Sequence, residues 1–383
     1  MQILVVGRAI PSKENNMLGC FEYEQAQMLA RYGHEVYYLS VDLRSIRHKR
    51  KIGFVKENRS GVTVDILNIP IGRTLPACIR NRLYGVFRKY QLRTFSNRYG
   101  VPDIVNVHYP SIYPYDIFIP LQNQGTKIVG TEHWSKVQNQ DLSKTNLDFL
   151  KDFINKADAI TCVGDSLKKS IVQLTETKRE IFVIPNIVSP VFSYKNEKAS
   201  KKSFRFLAVG RLSKEKGYDK LIQSFCNVFG NDDTVHLHIV GRGDEFDRLQ
   251  ELVANNNAES IVTLHGLMQR EELADFYHQC DVLVMSSDYE TFGVPAAEAM
   301  ACGLPVIVPM NTGIARYVTD KSGIVIENNS IENISTAMKS MYMTYDNYSK
   351  KNISEYANEH FSESVVYKMI REEFETAVRG EIL

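Results

Sequence analysis

Long apolar runs are missing from this 383-residue chain. No uninterrupted stretch reaches the ~18 residues that a membrane-spanning helix requires, so no segment reads as one. Net charge is just as scarce: 46 Lys and Arg against 45 Asp and Glu leave a formal +1, where a dedicated nucleic-acid binder is clearly basic. The six cysteines (Cys20, Cys78, Cys162, Cys226, Cys280 and Cys302) form no CxxC pair, and none stands at metal spacing from a histidine. Most fall in apolar stretches, and buried, reduced thiols are expected. The opening MQILVVGRAI is too short an apolar run for a signal peptide and lacks a basic leader and a cleavage site. The expected location is therefore the cytoplasm.

What is present is an ordinary globular composition, 44% hydrophobic and 24% charged, in a chain long enough for two cores. Short β-branched runs alternate with longer segments of helical period. In the first half the runs are 3–6, 36–41, 62–69, 103–109, 127–132, 159–164 and 181–186. EYEQAQMLARYGHE, between the first two, reads as an amphipathic helix stopped by Gly33. The polar SYKNEKASKKS (193–203) then breaks the alternation, behind Pro185 and Pro190, and reads as an exposed linker. Beyond it the runs restart at 204–210, 235–241, 261–266, 282–287, 305–309 and 323–327. Two doubly wound α/β domains are expected, 1–192 and 204–358. Ligands of such open sheets bind at the carboxyl ends of the strands, so two such domains facing each other would enclose a cleft. The last segment, FSESVVYKMIREEFETAVRG, reads as a helix with Phe361, Val365 or Val366, Met369 and Phe374 toward a core.

The chemistry-bearing stretches follow strands. RLSKEKG (211–217) places Arg211 and Lys216 five residues apart, ahead of Gly217 and a helix start. That pattern suits a diphosphate, because cations and a helix N-terminus both stabilise an anion; it equally suits a solvated turn. Gly241–Arg242–Gly243 is a tight turn that lets backbone approach a ligand, but no GxGxxG follows either domain's first strand, which disfavours a dinucleotide. The most informative stretch is ETFGVPAAEAMACG. Glu290 precedes a helix whose first turn accommodates Pro295, and Glu298 lies eight positions on, inside it. The two carboxylates do not share a helix face, so a ligand crossing the helix N-terminus would meet one at each end. A buried glutamate without a partner is costly, which makes Glu298 hard to explain by packing.

VGRLSKEKG (209–217), VGRGDEF (240–246), ETFGVPAAE (290–298) and EAMACGLPVI (298–307) together resemble a family-4 glycosyltransferase of the GT-B fold, with two Rossmann-like domains facing a central cleft. The resemblance spans the C-terminal domain and, more loosely, the N-terminal one. It implies transfer of a sugar from a nucleotide diphosphate with retention at the anomeric carbon, and no agreed protein nucleophile. It implies that Arg211 and Lys216 hold the diphosphate, an electrostatic role. Glu298 would bind the ribose, and Glu290 the donor sugar with amides around Phe292, Gly293 and Val294. Gly241–Arg242 and Gly266–Leu267 would flank the base. On the N-domain side, Gly19 would lie near the diphosphate and His133 near the reacting centre. Residues 359–383 would form a helix crossing back to the N-terminal domain. His108, at a strand end, is a second candidate, and Trp134, the single tryptophan, offers either a stacking surface or a packed aromatic.

Two departures stand out. The first loop, NNMLGCFEYE, carries Gly19 where the family has paired glycines. NTGIARYV carries Ala315 and Arg316 where the family has Pro and Glu. The basic stretches RSIRHKRK (44–51) and RNRLYGVFRKYQLR (80–93), the latter with Leu83, Phe87 and Tyr90 in helical period, fit either an anionic lipid surface or a solvated face. No metal is expected, although Asp288-Tyr289-Glu290 superficially matches a metal motif of another fold. The expected partners are an NDP-sugar, UDP before GDP, and a saccharide or lipid-linked acceptor in surface polysaccharide or glycolipid synthesis. The competing readings are a GT-B nucleotide-sugar epimerase and a non-catalytic nucleotide-sugar-binding subunit.

Overall fold

The computed structural model describes residues 1–11, 19–44, 51–72, 77–196 and 203–380, with the backbone alone for 77–82. The chain divides into two compact units. One comprises Met1–Val163, Leu167–Ile187 and Val366–Leu383, and the other Gly164–Ser166 and Val188–Val365. Most of the polar stretch expected as a linker, 197–202, lies outside the described residues.

The first unit is built on eight strands: β1 (Gln2–Gly7), β2 (Glu35–Asp42), β3 (Gly53–Arg59), β4 (Val62–Asn68), β5 (Ile104–His108), β6 (Lys127–Glu132), β7 (Ala159–Cys162) and β8 (Phe182–Val183). Their spatial order is β3-β4-β2-β1-β5-β6-β7-β8. Near-continuous burial of Ile3 to Val6 and of all of β5 is what a sheet covered on both faces demands. Strand β3 is the exception. It pairs antiparallel with β4, Arg59 opposite Val62, across a two-residue turn in which Ser60 and Gly61 both have positive φ. Two such residues give the turn whose twist matches a hairpin. The expected helix before Gly33 runs over Cys20–Arg31, with the Gly33 amide bonded to the Ala30 carbonyl.

The chain's end differs from the single helix that periodicity predicts. Lys350–Phe361 and Glu363–Arg379 are separate helices broken at the extended Ser362. Phe361 is buried at the end of the former, while Val366, Ile370, Phe374 and Ala377 of the latter join Ile3, Val5 and Leu29 in the first unit's core. Side chains the size of Val366, Ile370 and Phe374 contribute about 1.5–3 kcal/mol each when fully buried.

The second unit holds β9 (Phe204–Val209), β10 (Val235–Val240), β11 (Val262–Gly266), β12 (Val282–Val284), β13 (Val306–Pro309) and β14 (Gly323–Ile326), all parallel, in the order β11-β10-β9-β12-β13-β14. Phe206, Leu237 and Val282 from the strands pack with Leu221 and Phe225 of helix Tyr218–Phe229 and Met338 of helix Ile331–Thr344. In both sheets the chain winds outward from a central strand in both directions. The winding reverses between β1 and β5 in the first sheet and between β9 and β12 in the second. Open α/β sheets bind ligands outside the carboxyl ends of strands at such a reversal.

Candidate functional site

At the reversal point of the second sheet, the loops after β9 and β12 are stitched together. The amide of Asp288 donates to the Glu215 carbonyl at 2.8 Å, and Ser286 Oγ donates to the Lys216 carbonyl at 2.8 Å. Gly217, with φ 63°, starts helix Tyr218–Phe229 so close to the second loop that a Cβ would sit 2.2 Å from the Ser286 oxygen. Only glycine fits such an approach. The result is an ion pair between Lys216 Nζ and Glu290 Oε1, with the side chains 20% and 19% exposed. Burial, followed by the Glu290 charge, pushes the neighbouring Tyr218 phenol well up. Asp288, which shares the loop, accepts from Lys220 Nζ at 2.8 Å and from Asn329 Nδ2 at 2.9 Å. These donors hold its carboxyl below its ordinary range although burial acts against them.

Arg211 does not share this arrangement. Its side chain is 70% exposed, and its guanidinium pairs with Glu215 at 2.6 Å. The two cations that sequence spacing brings together thus hold different carboxylates. Glu215 sits low despite some burial, through Ser213, a backbone amide and Arg211.

Past Glu290 the backbone turns at Gly293, φ 110°, into helix Val294–Ala301 with Pro295 in its first turn. A Cβ at Gly293 would lie 2.9 Å from Ile314 Cγ2. Phe292 is buried against Phe361, its ring edge-on at 5.6 Å, so its side chain serves packing and its backbone is what faces the turn. Glu298 is buried on the helix, and Tyr277 Oη lies 3.2 Å from its Oε2 and 3.1 Å from the Pro295 carbonyl. Burial and then Glu298 push the Tyr277 phenol far up, so it remains a hydroxyl donor. Tyr277, on helix Arg270–Gln279, is a candidate site residue that sequence reading missed.

The remaining residues expected at the base line the adjacent strand ends. Gly241 follows β10, its amide bonded to the Gly266 carbonyl at 2.8 Å, and a Cβ there would meet the Gly210 carbonyl at 1.8 Å. Arg242 is exposed, Gly266 has φ 72°, and Leu267 is 49% exposed. Arg316, the departure from the family turn, donates to Asp165 at 2.8 Å.

The first unit's reversal point looks different. Arg8 follows β1 with its Cζ over the Tyr109 ring, 3.5 Å from the centroid, while its Nε donates to the buried Glu22 at 3.1 Å. Burial opposes the charge of Arg8, but Tyr109 and Glu22 outweigh it. Arg8 was also missed, although VGRAI repeats the VGR of the other two strand ends. His108 and His133 are both buried, joined Nδ1 to Nε2 at 2.8 Å. Burial, then Arg8, brings His108 down to about 3, and burial, His108 and Arg8 push His133 well below its ordinary value. Glu132, fully buried, accepts from the amides of His133 and Trp134 at 2.9 and 2.8 Å, yet burial still raises its pKa. Trp134 is partly exposed with Lys136 Nζ 5.8 Å over its ring. Gly19, φ 80°, caps helix Cys20–Arg31 where a Cβ would strike the Ala9 carbonyl at 1.9 Å. Residues 15–18 of that loop and 45–50 of the first basic stretch lie outside the described residues. In the second basic stretch, Val86 and Tyr90 are exposed on helix Ala77–Tyr99. Among the described residues, no helix is long and apolar enough to cross a membrane, and no three His, Cys, Asp or Glu side chains converge as metal ligands.

Comparison with known proteins bears on the fold and the family. In fold, the chain is similar to sucrose-phosphate synthase from Thermosynechococcus elongatus, with TM-score 0.79, 20% identity and 97% and 98% of the two chains covered. It is also similar to HepE from Anabaena in complex with UDP, with TM-score 0.74, 16% identity and 98% and 100% covered. In sequence it is 25% identical over 287 residues to N-acetyl-alpha-D-glucosaminyl L-malate synthase of Bacillus anthracis, covering 72% of this chain and 74% of that one. Other curated relatives are matched over 27% to 51% of their length, so the chain spans about half of them or less. Residues 22–192 match the model described as Glycosyltransferase Family 4, and residues 192–360 the model described as Glycosyl transferases group 1. With the two models running end to end over two Rossmann-like domains, the chain belongs to the family-4, group 1 glycosyltransferases of the GT-B fold.

Proposed function

We propose that this protein transfers a hexosyl or N-acetylhexosaminyl group, with retention, from an NDP-sugar to a saccharide or lipid-linked saccharide. UDP-sugars are the first choice of donor and GDP-sugars the second. The observation that carries the reading is the Lys216–Glu290 pair at the reversal point of the second sheet, in front of a helix that buries Glu298. Without a ligand, Lys216 is neutralised by Glu290. A diphosphate entering between the loops offers Lys216 a doubly charged partner and frees Glu290 to accept from sugar hydroxyls. Glu298, oriented by Tyr277, accepts from the ribose. Arg211 is exposed on a flexible stem and only has to exchange Glu215 for phosphate. Cations aimed at a departing diphosphate stabilise charge where it develops.

UDP is favoured because a fold neighbour is described in complex with UDP, and an N-acetylhexosaminyl group because a relative is named for N-acetylglucosaminyl transfer. A resident metal is not invoked: Asp288 is taken up by Lys220 and Asn329, and Glu290 by Lys216, so neither carboxylate needs a cation.

A thermal-shift series with UDP, GDP, ADP and their sugar conjugates, with and without EDTA, tests this. A ligand of the native state at a hundred times its Kd stabilises by about 2.7 kcal/mol. One diphosphate series should stand out and be insensitive to EDTA. No shift with any of them overturns the reading, and a shift abolished by EDTA overturns the metal-free part.

A further inference from the structure

The first unit carries a polar chain through its core that the transfer reaction does not by itself explain. Thr161 Oγ1 lies 3.0 Å from Thr131 Oγ1, which donates to Asn106 Oδ1 at 3.0 Å. Asn106 Nδ2 is 3.4 Å from His108 Nε2, and His108 Nδ1 is 2.8 Å from His133 Nε2. All five side chains are buried. They come from the ends of three neighbouring strands, β5, β6 and β7, and the segment after β6, with His108 paired to Thr131 and Thr131 to Thr161 in register. The chain ends at His133 Nδ1, which is buried and, among the described residues, has no hydrogen-bond partner. Leaving such an atom unsatisfied costs about 1–3 kcal/mol, a cost that a hydrogen-bonding oxygen would relieve.

We propose that Thr131, Asn106 and His108 are positioning residues that fix the tautomer of His133, so that its Nδ1 is a proton donor to a ligand oxygen and not a base. The Thr131 hydroxyl occupies the Asn106 carbonyl oxygen, which turns the amide NH₂ toward His108 Nε2. That nitrogen accepts, so the single proton of the neutral His108 ring sits on Nδ1 and is donated to His133 Nε2. The His133 proton is thereby left on Nδ1. Burial and the nearby Arg8 disfavour a second proton on either ring. His133, Thr131 and Thr161 also line one cavity, with Gln25 and Asn186. That the ligand oxygen belongs to a saccharide rests on the proposed function; the tautomer does not.

The test uses the full chain labelled with ¹⁵N-histidine, with long-range ¹⁵N–¹H correlations recorded at neutral pH. His133 should show a protonated Nδ1 and a bare Nε2, and His108 the same pattern. The opposite pattern in either ring overturns the proposal. Asn106→Asp places an acceptor against His108 Nε2 and should reverse both tautomers, with turnover of the responsive nucleotide sugar falling by roughly tenfold or more. Reversed tautomers with unchanged turnover overturn the role assigned to Nδ1. Should Asn106→Asp not fold, Thr131→Val, which removes the hydroxyl orienting the amide, should give a mixture of tautomers and an intermediate loss; a single unchanged tautomer overturns the relay. The expected pattern in a protein that binds no nucleotide sugar sinks the transferase reading and leaves the relay standing.

Discussion

The two sheets reverse their winding at equivalent places and fill them with opposite chemistry. Between β9 and β12 stand paired charges, Lys216 with Glu290 and Lys220 with Asp288, all partly open to water. Near the reversal between β1 and β5 stand a guanidinium over the Tyr109 ring and two buried imidazoles pushed toward neutrality. Charges that a ligand must displace stay near solvent, where exchanging partners is cheap. Groups that must keep one protonation state are buried, where changing it is expensive. The same strand-end geometry thus supports a site that trades ions in one unit and a fixed array of hydrogen bonds in the other.

Breaking the ionic side should have the largest effect. Lys216→Ala removes a charge-assisted contact to phosphate and leaves Glu290 repelling it. We expect donor affinity to fall by roughly a hundredfold, about 3 kcal/mol, measured by titration with the diphosphate that responds in the thermal-shift series. Glu298→Ala should weaken binding comparably through the ribose. Donor affinity unchanged in both variants would remove the second unit's strand ends from the site.

The neutral side predicts a pH dependence of stability. A histidine held below its ordinary pKa in the folded state stays bare there, while in the unfolded chain it takes up a proton below about pH 6.5. Its contribution is therefore complete above about pH 6.5 and is lost as pH falls toward the folded value, about 3 for His108. Each such histidine steepens the fall by up to about 1.4 kcal/mol per pH unit. Urea unfolding between pH 7 and 5 should show the slope, and His108→Gln should remove one histidine's share. Identical slopes in the two proteins would mean that His108 titrates normally.

The contrast also explains what could be read from the chain. All six strands of the second sheet were legible because each is a short run rich in β-branched and other apolar residues. Glu298 stood out in the sequence because a carboxylate within VPAAEAMA has no ordinary place in packing. Strand β3 was not: GFVKENR lies at a sheet edge with Phe54 and Val55 followed only by polar and charged residues, and its register is set by the Ser60-Gly61 turn. The break at Ser362 was hidden because apolar periodicity continues through it, although a serine ahead of Glu363 is a usable helix-start signal. Tyr277 is 21 residues from Glu298, and three of the relay's four contacts join residues 25 to 30 apart. Contacts that exist only after strands pair in register leave no local mark in the sequence.

Tyr277→Phe probes whether the buried carboxylate is oriented or merely tolerated. It removes the hydroxyl 3.2 Å from Glu298 and keeps the ring that packs edge-on against Phe192. If Glu298 needs that donor to face the ribose, affinity for the nucleoside diphosphate should fall by about 1 kcal/mol, roughly fivefold, with little change in melting temperature. Loss of melting temperature with unchanged affinity would make Tyr277 a packing residue. The baseline for both measurements is Arg44→Ala: Arg44 pairs with its near neighbour Asp42 at 2.8 Å on the first unit. That local pair of the first unit is no part of the diphosphate site proposed at the second unit's strand ends, so donor affinity should not move. If it fell as far as in Lys216→Ala, binding would follow overall positive charge, and the division between a displaceable ionic site and a fixed neutral one would collapse.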